Sequence, residues 1–213
     1  MKKRKQGDMP LQAPMGETTV LLHTCCAPCS SAIIEAMMKS GITPVIYYCN
    51  PNIYPEQEYE IRKEECSRYA ESLGLEIVDA DYDHENWLAQ MEGLEDEPER
   101  GGRCLKCFKL RLLRTAIYAH KRGIRVIATT LASSRWKSIE QINAAGQWAC
   151  EQITSPVLES PVVWWSQDWK KGGLQERRLQ IIKEYGFYNQ QYCGCEFSMR
   201  HLKAADAQND LQI

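Results

Sequence analysis

Seven of the ten cysteines in this 213-residue chain fall into three groups: Cys25/Cys26/Cys29, Cys104/Cys107 and Cys193/Cys195. Cys26-Ala27-Pro28-Cys29 and Cys104-Leu105-Lys106-Cys107 share the C-x-x-C spacing, which lets two thiolates of one turn point at one centre. A single such pair fits zinc, an iron–sulfur cluster or a thioredoxin-like dithiol. Two pairs plus a Cys-Gly-Cys loop argue for a soft-ligand metal site, because thiolates select zinc, copper(I) or iron–sulfur clusters over hard cations. A structural zinc takes four ligands. Seven candidates exceed one zinc and suffice for a four-cysteine cluster with thiolates to spare, or for two adjacent centres. The plainer alternative is a zinc that pins loops to a sheet, with the other cysteines as small buried hydrophobes.

The remaining cysteines fit no ligand pattern. Cys66 and Cys150 sit in helical stretches and read as core, while Cys49 lies at a strand end without a partner spacing. His23, inside an apolar strand, reads as a satisfied core histidine, and His84, His120 and His201 show no ligand pattern. Basic and aromatic residues interleave near the cysteines: Arg100, Arg103, Lys106, Lys109, Arg111 and Arg114 around the central pair, then Arg135-Trp136-Lys137, Trp164-Trp165 and Trp169-Lys170-Lys171. Such interleaving suits phosphate contact and base stacking, although each helical charge taken singly reads as a solvated face.

The elements that must position these residues alternate. Thr18–His23, Val45–Tyr48, Leu75–Val78, Arg125–Thr130 and Pro156–Val163 read as short strands. Helices are expected at Ser30–Ser40, Gln57–Leu73, Glu85–Met91, Cys107–Lys121, Ile139–Cys150 and Leu174–Tyr185. For the fourth of these, Leu110, Leu113, Ala116 and Ile117 form the expected inward stripe. The alternation predicts βαβ units in an α/β protein with a parallel sheet, whose site lies beyond the carboxyl ends of the strands. Cys25-Cys26, Cys49-Asn50 and Thr129-Thr130 all follow strands and so share that rim.

Composition narrows the class. At 44% hydrophobic the chain can bury one core, and a formal net charge of -2 rules out a global basic field. No apolar run approaches the ~20 residues of a membrane helix. The basic start, Lys2 to Lys5, has no apolar region behind it and is not a secretory signal. A reducing, cytoplasmic setting is therefore expected, in which clustered cysteines mean metal or redox chemistry. The expected organisation is a disordered basic tail over 1–17, one catalytic domain over 18–200 and a polar tail over 201–213. No G-x-G-x-x-G or P-loop follows the first strand, which argues against nucleotide binding.

Several stretches resemble the QueH-type epoxyqueuosine reductases: LLHTCCAPCS (21–30), YYCNPNIYPEQEY (47–59), AQMEGLEDEPERGGRCLKCFKLRL (89–112), ATTLASSRWK (128–137), DWKKGG (168–173) and YNQQYCGCEFS (188–198). The resemblance implies a Rossmann-like (HUP-like) sheet flanked by helices, with the phosphate loop replaced by the cysteine turn. It implies an enzyme that deoxygenates epoxyqueuosine at the wobble position of tRNA, with a [4Fe-4S] cluster beside a mononuclear metal ion, expected to be iron. By the family pattern Cys25, Cys26, Cys104, Cys107, Cys193 and Cys195 are the shared cysteines, and Cys29 is a ligand of the lone metal. Cys104, Cys107 and one cysteine from each end are expected on the cluster. Arg135-Trp136 departs from the Pro-containing turn of many members. Tyr48, Asp96 and Glu97 are the candidate proton donors, since they fall in the matching stretches. Arg103, Lys106, Arg135, Trp136, Lys137, Trp169, Lys170 and Lys171 are the candidate RNA contacts. The expected partners are the tRNA anticodon loop and an unidentified electron donor, with no membrane. The rival readings are a zinc-stapled RNA-binding module without catalysis and a thiol-disulfide oxidoreductase using Cys104 and Cys107.

Overall fold

The computed structural model describes residues 10–153, 161–188, 190 and 192–199. Its strands are β1 (Thr19–Thr24), β2 (Thr43–Tyr48), β3 (Ile77–Asp79), β4 (Val126–Thr129) and β5 (Val163–Trp164). They form one sheet in the order β3-β2-β1-β4-β5, and every pairing is parallel. A parallel sheet covered by helices on both faces needs continuous apolar strands rather than alternation. β1 meets that requirement: Val20, Leu21 and Leu22 are fully buried. The α/β parallel architecture expected from the alternation is present.

The helices are α1 (Ala27–Lys39), α2 (Glu56–Ser72), α3 (His84–Gln90), α4 (Gly102–Lys121), α5 (Ile139–Ile153) and α6 (Leu174–Tyr185). Two begin three or more residues earlier than expected, with consequences for the site. α1 starts at Ala27, so Cys26 is its N-cap and Cys29 lies in its first turn, with Pro28 at a position that needs no amide donor. α4 starts at Gly102, which places both Cys104 and Cys107 on the helix, three residues apart and on one face.

α4 also turns a different face inward from the one expected. Its buried residues are Arg103, Cys107, Phe108, Arg111, Leu112, Thr115, Ala116 and Ala119, whereas Ile117 is exposed and Leu110 and Leu113 are only half-buried. The apolar count misplaced the stripe because two arginines and a threonine occupy the inner face. Backbone carbonyls accept from Arg103 Nη1, Arg111 Nε and Thr115 Oγ1 there, while Arg103 Nε and Nη2 bond to none of the described residues.

Packing begins before the expected tail boundary at residue 17. The Leu11 amide donates to Ser40 Oγ at 2.9 Å, and Ala13 is buried in the core. Residues 1–9 and 200–213 lie outside the described residues, as do His201, the polar tail and positions 154–160 at the start of the expected fifth strand. Among the described residues no helix is long and apolar enough to cross a membrane.

Gly146 lets α5 approach the sheet edge. A Cβ there would stand 2.3 Å from the ring of Trp164 in β5. The ring is itself fixed by Asn143, whose Oδ1 accepts from Trp164 Nε1 at 3.2 Å. Gly146→Ala is therefore expected to destabilise the fold by about 3 kcal/mol, as overpacking does. A melting curve should show the midpoint roughly 6–12 °C lower.

Candidate metal centre

The N-terminal cysteine group follows directly from β1. Sγ atoms of Cys25, Cys26 and Cys29 lie within 4.8 Å of one another, with 3.8 Å between Cys25 and Cys26. The turn is fixed from three sides. The Cys25 amide donates to Thr130 Oγ1 at 3.3 Å, Ser133 Oγ to the Cys29 carbonyl at 3.4 Å, and Arg178 Nε to the Pro28 carbonyl at 2.8 Å. The N-terminus of α1 adds its partial positive charge, which favours thiolate.

These three thiols share protons unequally. Hydrogen bonds from Cys26 and Cys29 hold Cys25 well below the usual thiol range, with Lys137 and Arg111 adding positive charge. Cys29, which donates its S–H to Cys25, is pushed up to about 12, and burial drives Cys26 well above its ordinary value. Mutual hydrogen bonding and burial thus push the three thiols in opposite directions. A metal cation would release their protons, as thiolate ligation always does.

The second group gathers around the start of α4. Cys104, Cys107, Cys193 and Cys195 line one open cavity with about 480 Å³ of empty space. Both C-terminal cysteines therefore line the same cavity as the central pair. The Cys193-Gly194-Cys195 loop is tied down by the Tyr54 amide, which donates to the Gly194 carbonyl at 2.8 Å. Arg62 reaches the carbonyls of Tyr192 and Cys193 at 3.3 and 3.4 Å. Gly194 has φ +102°, and a Cβ there would lie 3.0 Å from both Arg62 and Ile53. At the start of α4 Glu97 Oε2 accepts from the Gly102 amide at 2.8 Å, a carboxylate at a helix N-terminus. Burial pushes Cys195 up to about 12 and raises Cys104.

Two cations join the groups. Arg111 is buried, donates to the Cys49 carbonyl at 3.1 Å and to Asn50 Oδ1, and adds positive charge at Cys25. Asn50 in turn donates to the Thr24 carbonyl at 2.8 Å, so the ends of β1 and β2 and the middle of α4 are one network. Lys137 lines the cavity and lies close enough to Cys193, Cys25 and Cys29 to interact with all three. Burial opposes its charge, yet those thiols hold its pKa above the ordinary lysine value.

The other expected residues are placed as follows. Tyr48 is fully buried and donates its hydroxyl to the Tyr59 carbonyl at 3.1 Å. Asp96 is exposed on the loop before α4, and Glu97 is engaged at the helix start. Arg103 is only 1% exposed, donates to the Leu94, Glu95 and Glu97 carbonyls and covers the Phe197 ring. Trp169 is 2% exposed and donates Nε1 to the Thr129 carbonyl at 2.9 Å. Neither side chain is open to RNA, because the fold uses both as internal braces. Lys106, Arg135 and Lys171 are exposed, Lys170 is half-buried, and Trp136 is 60% exposed at the cavity mouth. Arg135 stacks on the Trp136 ring, 4.6 Å from its centre.

Cys49, Cys66 and Cys150 are buried, and none lines the cavity. His23 is satisfied on both nitrogens: Nε2 lies 3.0 Å from the Cys49 carbonyl, which only accepts, so Nδ1 takes the Thr129 hydroxyl hydrogen at 2.7 Å. Burial and Arg111 hold its pKa down to about 3. Residues that sequence reasoning missed are Arg62 and Gln190, whose Nε2 donates to Cys26 Sγ at 2.8 Å. Neither residue type belongs to a ligand pattern; nearness to the Cys-Gly-Cys loop was the one signal for Gln190.

The family model described as "Epoxyqueuosine reductase QueH" matches residues 20–201. A protein of that name from Histophilus somni (strain 129Pt) is 48% identical over 190 residues, covering 89% of this chain and 76% of the relative. Its namesake from Haemophilus influenzae (strain ATCC 51907 / DSM 11121 / KW20 / Rd) is 46% identical, covering 89% and 75%. That from Acinetobacter baylyi (strain ATCC 33305 / BD413 / ADP1) is 43% identical, covering 89% and 84%. With its cysteine turn, cysteine helix and Cys-Gly-Cys loop gathered on one sheet rim, the chain belongs to the epoxyqueuosine reductase QueH family.

Proposed function

We propose that this chain is a cytoplasmic reductase that deoxygenates epoxyqueuosine in tRNA to queuosine. The observation that carries the reading is the gathering of all seven candidate cysteines into two neighbouring groups, with Lys137 facing both. Cys104, Cys107, Cys193 and Cys195 would hold the [4Fe-4S] cluster, and Cys25, Cys26 and Cys29 the mononuclear metal. The donor set fits. Four cysteines are the usual ligands of such a cluster. Trp87 Nε1 and Arg103 Nε and Nη2 line the same cavity, yet they are buried donors that bond to none of the described residues. Cluster sulfur would satisfy them.

When bound, the cluster supplies low-potential electrons one at a time and the second metal supplies Lewis acidity. Converting the epoxide to the alkene consumes two electrons and two protons and releases the oxygen as water. Lys137 lines the cavity and would be the donor to that oxygen, whereas Tyr48 and Glu97 are engaged in other hydrogen bonds. Arg111 and Lys137 offset the negative charge of the thiolates. Trp136 offers a stacking face for a base leaving the anticodon stack, with Lys106, Arg135 and Lys171 on the flanking phosphates.

Trp136→Ala is expected to raise KM for the tRNA roughly 5–100-fold, the cost of one base stack, and to leave the reaction of bound substrate nearly unchanged. The test of the activity itself is protein purified without oxygen, assayed on epoxyqueuosine-containing tRNA, with iron, zinc and acid-labile sulfide counted. Conversion to queuosine by brown, sulfide-containing protein is the expected result. Colourless zinc protein without sulfide or turnover would sink it.

A further inference from the structure

Gln190 is the side chain from outside the cysteine groups that reaches the sulfurs of the N-terminal group most closely. Its Nε2 donates to Cys26 Sγ at 2.8 Å and lies 3.7 Å from Cys29 Sγ. Its Oε1 is buried and bonds to none of the described residues. A thiolate only accepts, so the amide nitrogen must face the sulfurs and the oxygen must turn away. Burying an unpartnered carboxamide oxygen is costly. Metal ligation would deprotonate Cys26 and Cys29, and the amide N–H bond to the Cys26 sulfur would then be of the stronger, charge-assisted kind.

We propose that Gln190 is a positioning residue for a metal at Cys25, Cys26 and Cys29. The inference rests on the reading that these three cysteines hold a metal. The amide N–H orients Cys26 and Cys29 and draws electron density from their sulfurs. Weaker thiolate donation favours the reduced metal, so Gln190 raises the reduction potential. Three residues further on, the same segment delivers Cys193 and then Cys195 to the other group. One stretch of chain therefore touches both groups, and displacement of either reaches the other.

The experiment compares wild-type protein with Gln190→Leu and Gln190→Glu, both close to glutamine in volume, all purified without oxygen. Cys29→Ala identifies the metal of this site as the portion it loses relative to wild type. The readouts are the midpoint potential by spectroelectrochemistry and the rate at which a chelator removes that metal. The leucine variant is expected to release the metal about 10–100-fold faster and at a more negative potential. Glutamate, whose carboxylate repels thiolate, is expected to shift further in the same direction. A space-filling role predicts wild-type potential and release rate in both variants, and that result overturns the proposal while leaving the metal in place. If Cys29→Ala loses no metal, the reading of the site and this inference fall together.

Discussion

Replacing Cys107 with alanine is expected to yield protein without a cluster, lacking about four irons and four sulfides per chain. Turnover should fall by well over 100-fold, because even the outer-shell partners of a metal site cost 10–100-fold when removed. Cys107 is a demanding position for two reasons. It projects from α4 on the face that also carries Cys104, so neither thiol can be replaced by a neighbouring residue of the helix. It is also packed with Trp87, Met91, Cys195 and Phe197 in a small apolar cluster of its own, which keeps water from the cavity floor. The fold should survive, since alanine suits a helix and this cluster is separate from the main core. Iron and sulfide analysis beside circular dichroism separates the two effects. Full cluster content with activity within a few-fold of wild type would remove Cys107 from the ligand set.

Arg62→Met has the second large expected effect, and it divides into two parts. Arg62 and Glu58 are both buried, with Nη2 2.7 Å from the carboxylate. Removing one partner of such a pair leaves an uncompensated charge and costs about 3–5 kcal/mol. The melting midpoint should therefore drop by roughly 6–20 °C. Tyr188 also donates to Glu58, at 2.9 Å, but a neutral hydroxyl cannot replace the lost cation. The double variant Glu58→Gln/Arg62→Met removes both charges and should recover most of the stability. Retention of the cluster should not recover, because the carbonyls of Tyr192 and Cys193 lose their clamp in both proteins. If the double variant is as unstable as the single one, packing by the arginine stem rather than charge pairing is the main contribution.

The periodicity of apolar residues placed nearly every element, because in a parallel α/β fold burial on both faces makes strands continuously apolar and turns leave glycines behind. It failed where polar side chains turn inward. Arg103 and Arg111 on α4 read singly as solvated charges and Arg62 on α2 drew no notice, yet all three are buried and serve as braces. Their partners are largely backbone carbonyls, some from segments distant in the chain, such as Cys49 for Arg111 and Cys193 for Arg62. Nothing local in a sequence marks a carbonyl that is waiting for an arginine.

The same limit separates what each level determined about the metal centre. The sequence alone specified the seven cysteines, their soft-ligand chemistry and the rim where they meet, since residue type and spacing dictate these. Only the tertiary structure shows that Cys193 and Cys195 line one cavity with Cys104 and Cys107, while the Cys25, Cys26 and Cys29 sulfurs lie within 4.8 Å of one another. Only the fold shows that Lys137 lines the cavity within reach of Cys25, Cys29 and Cys193, and that Arg103 and Trp169 are buried. The reason is physical: a ligand set is fixed by chemistry that a side chain carries with it. A role in the electrostatics around that set depends on which distant segments the sheet brings within a few ångströms.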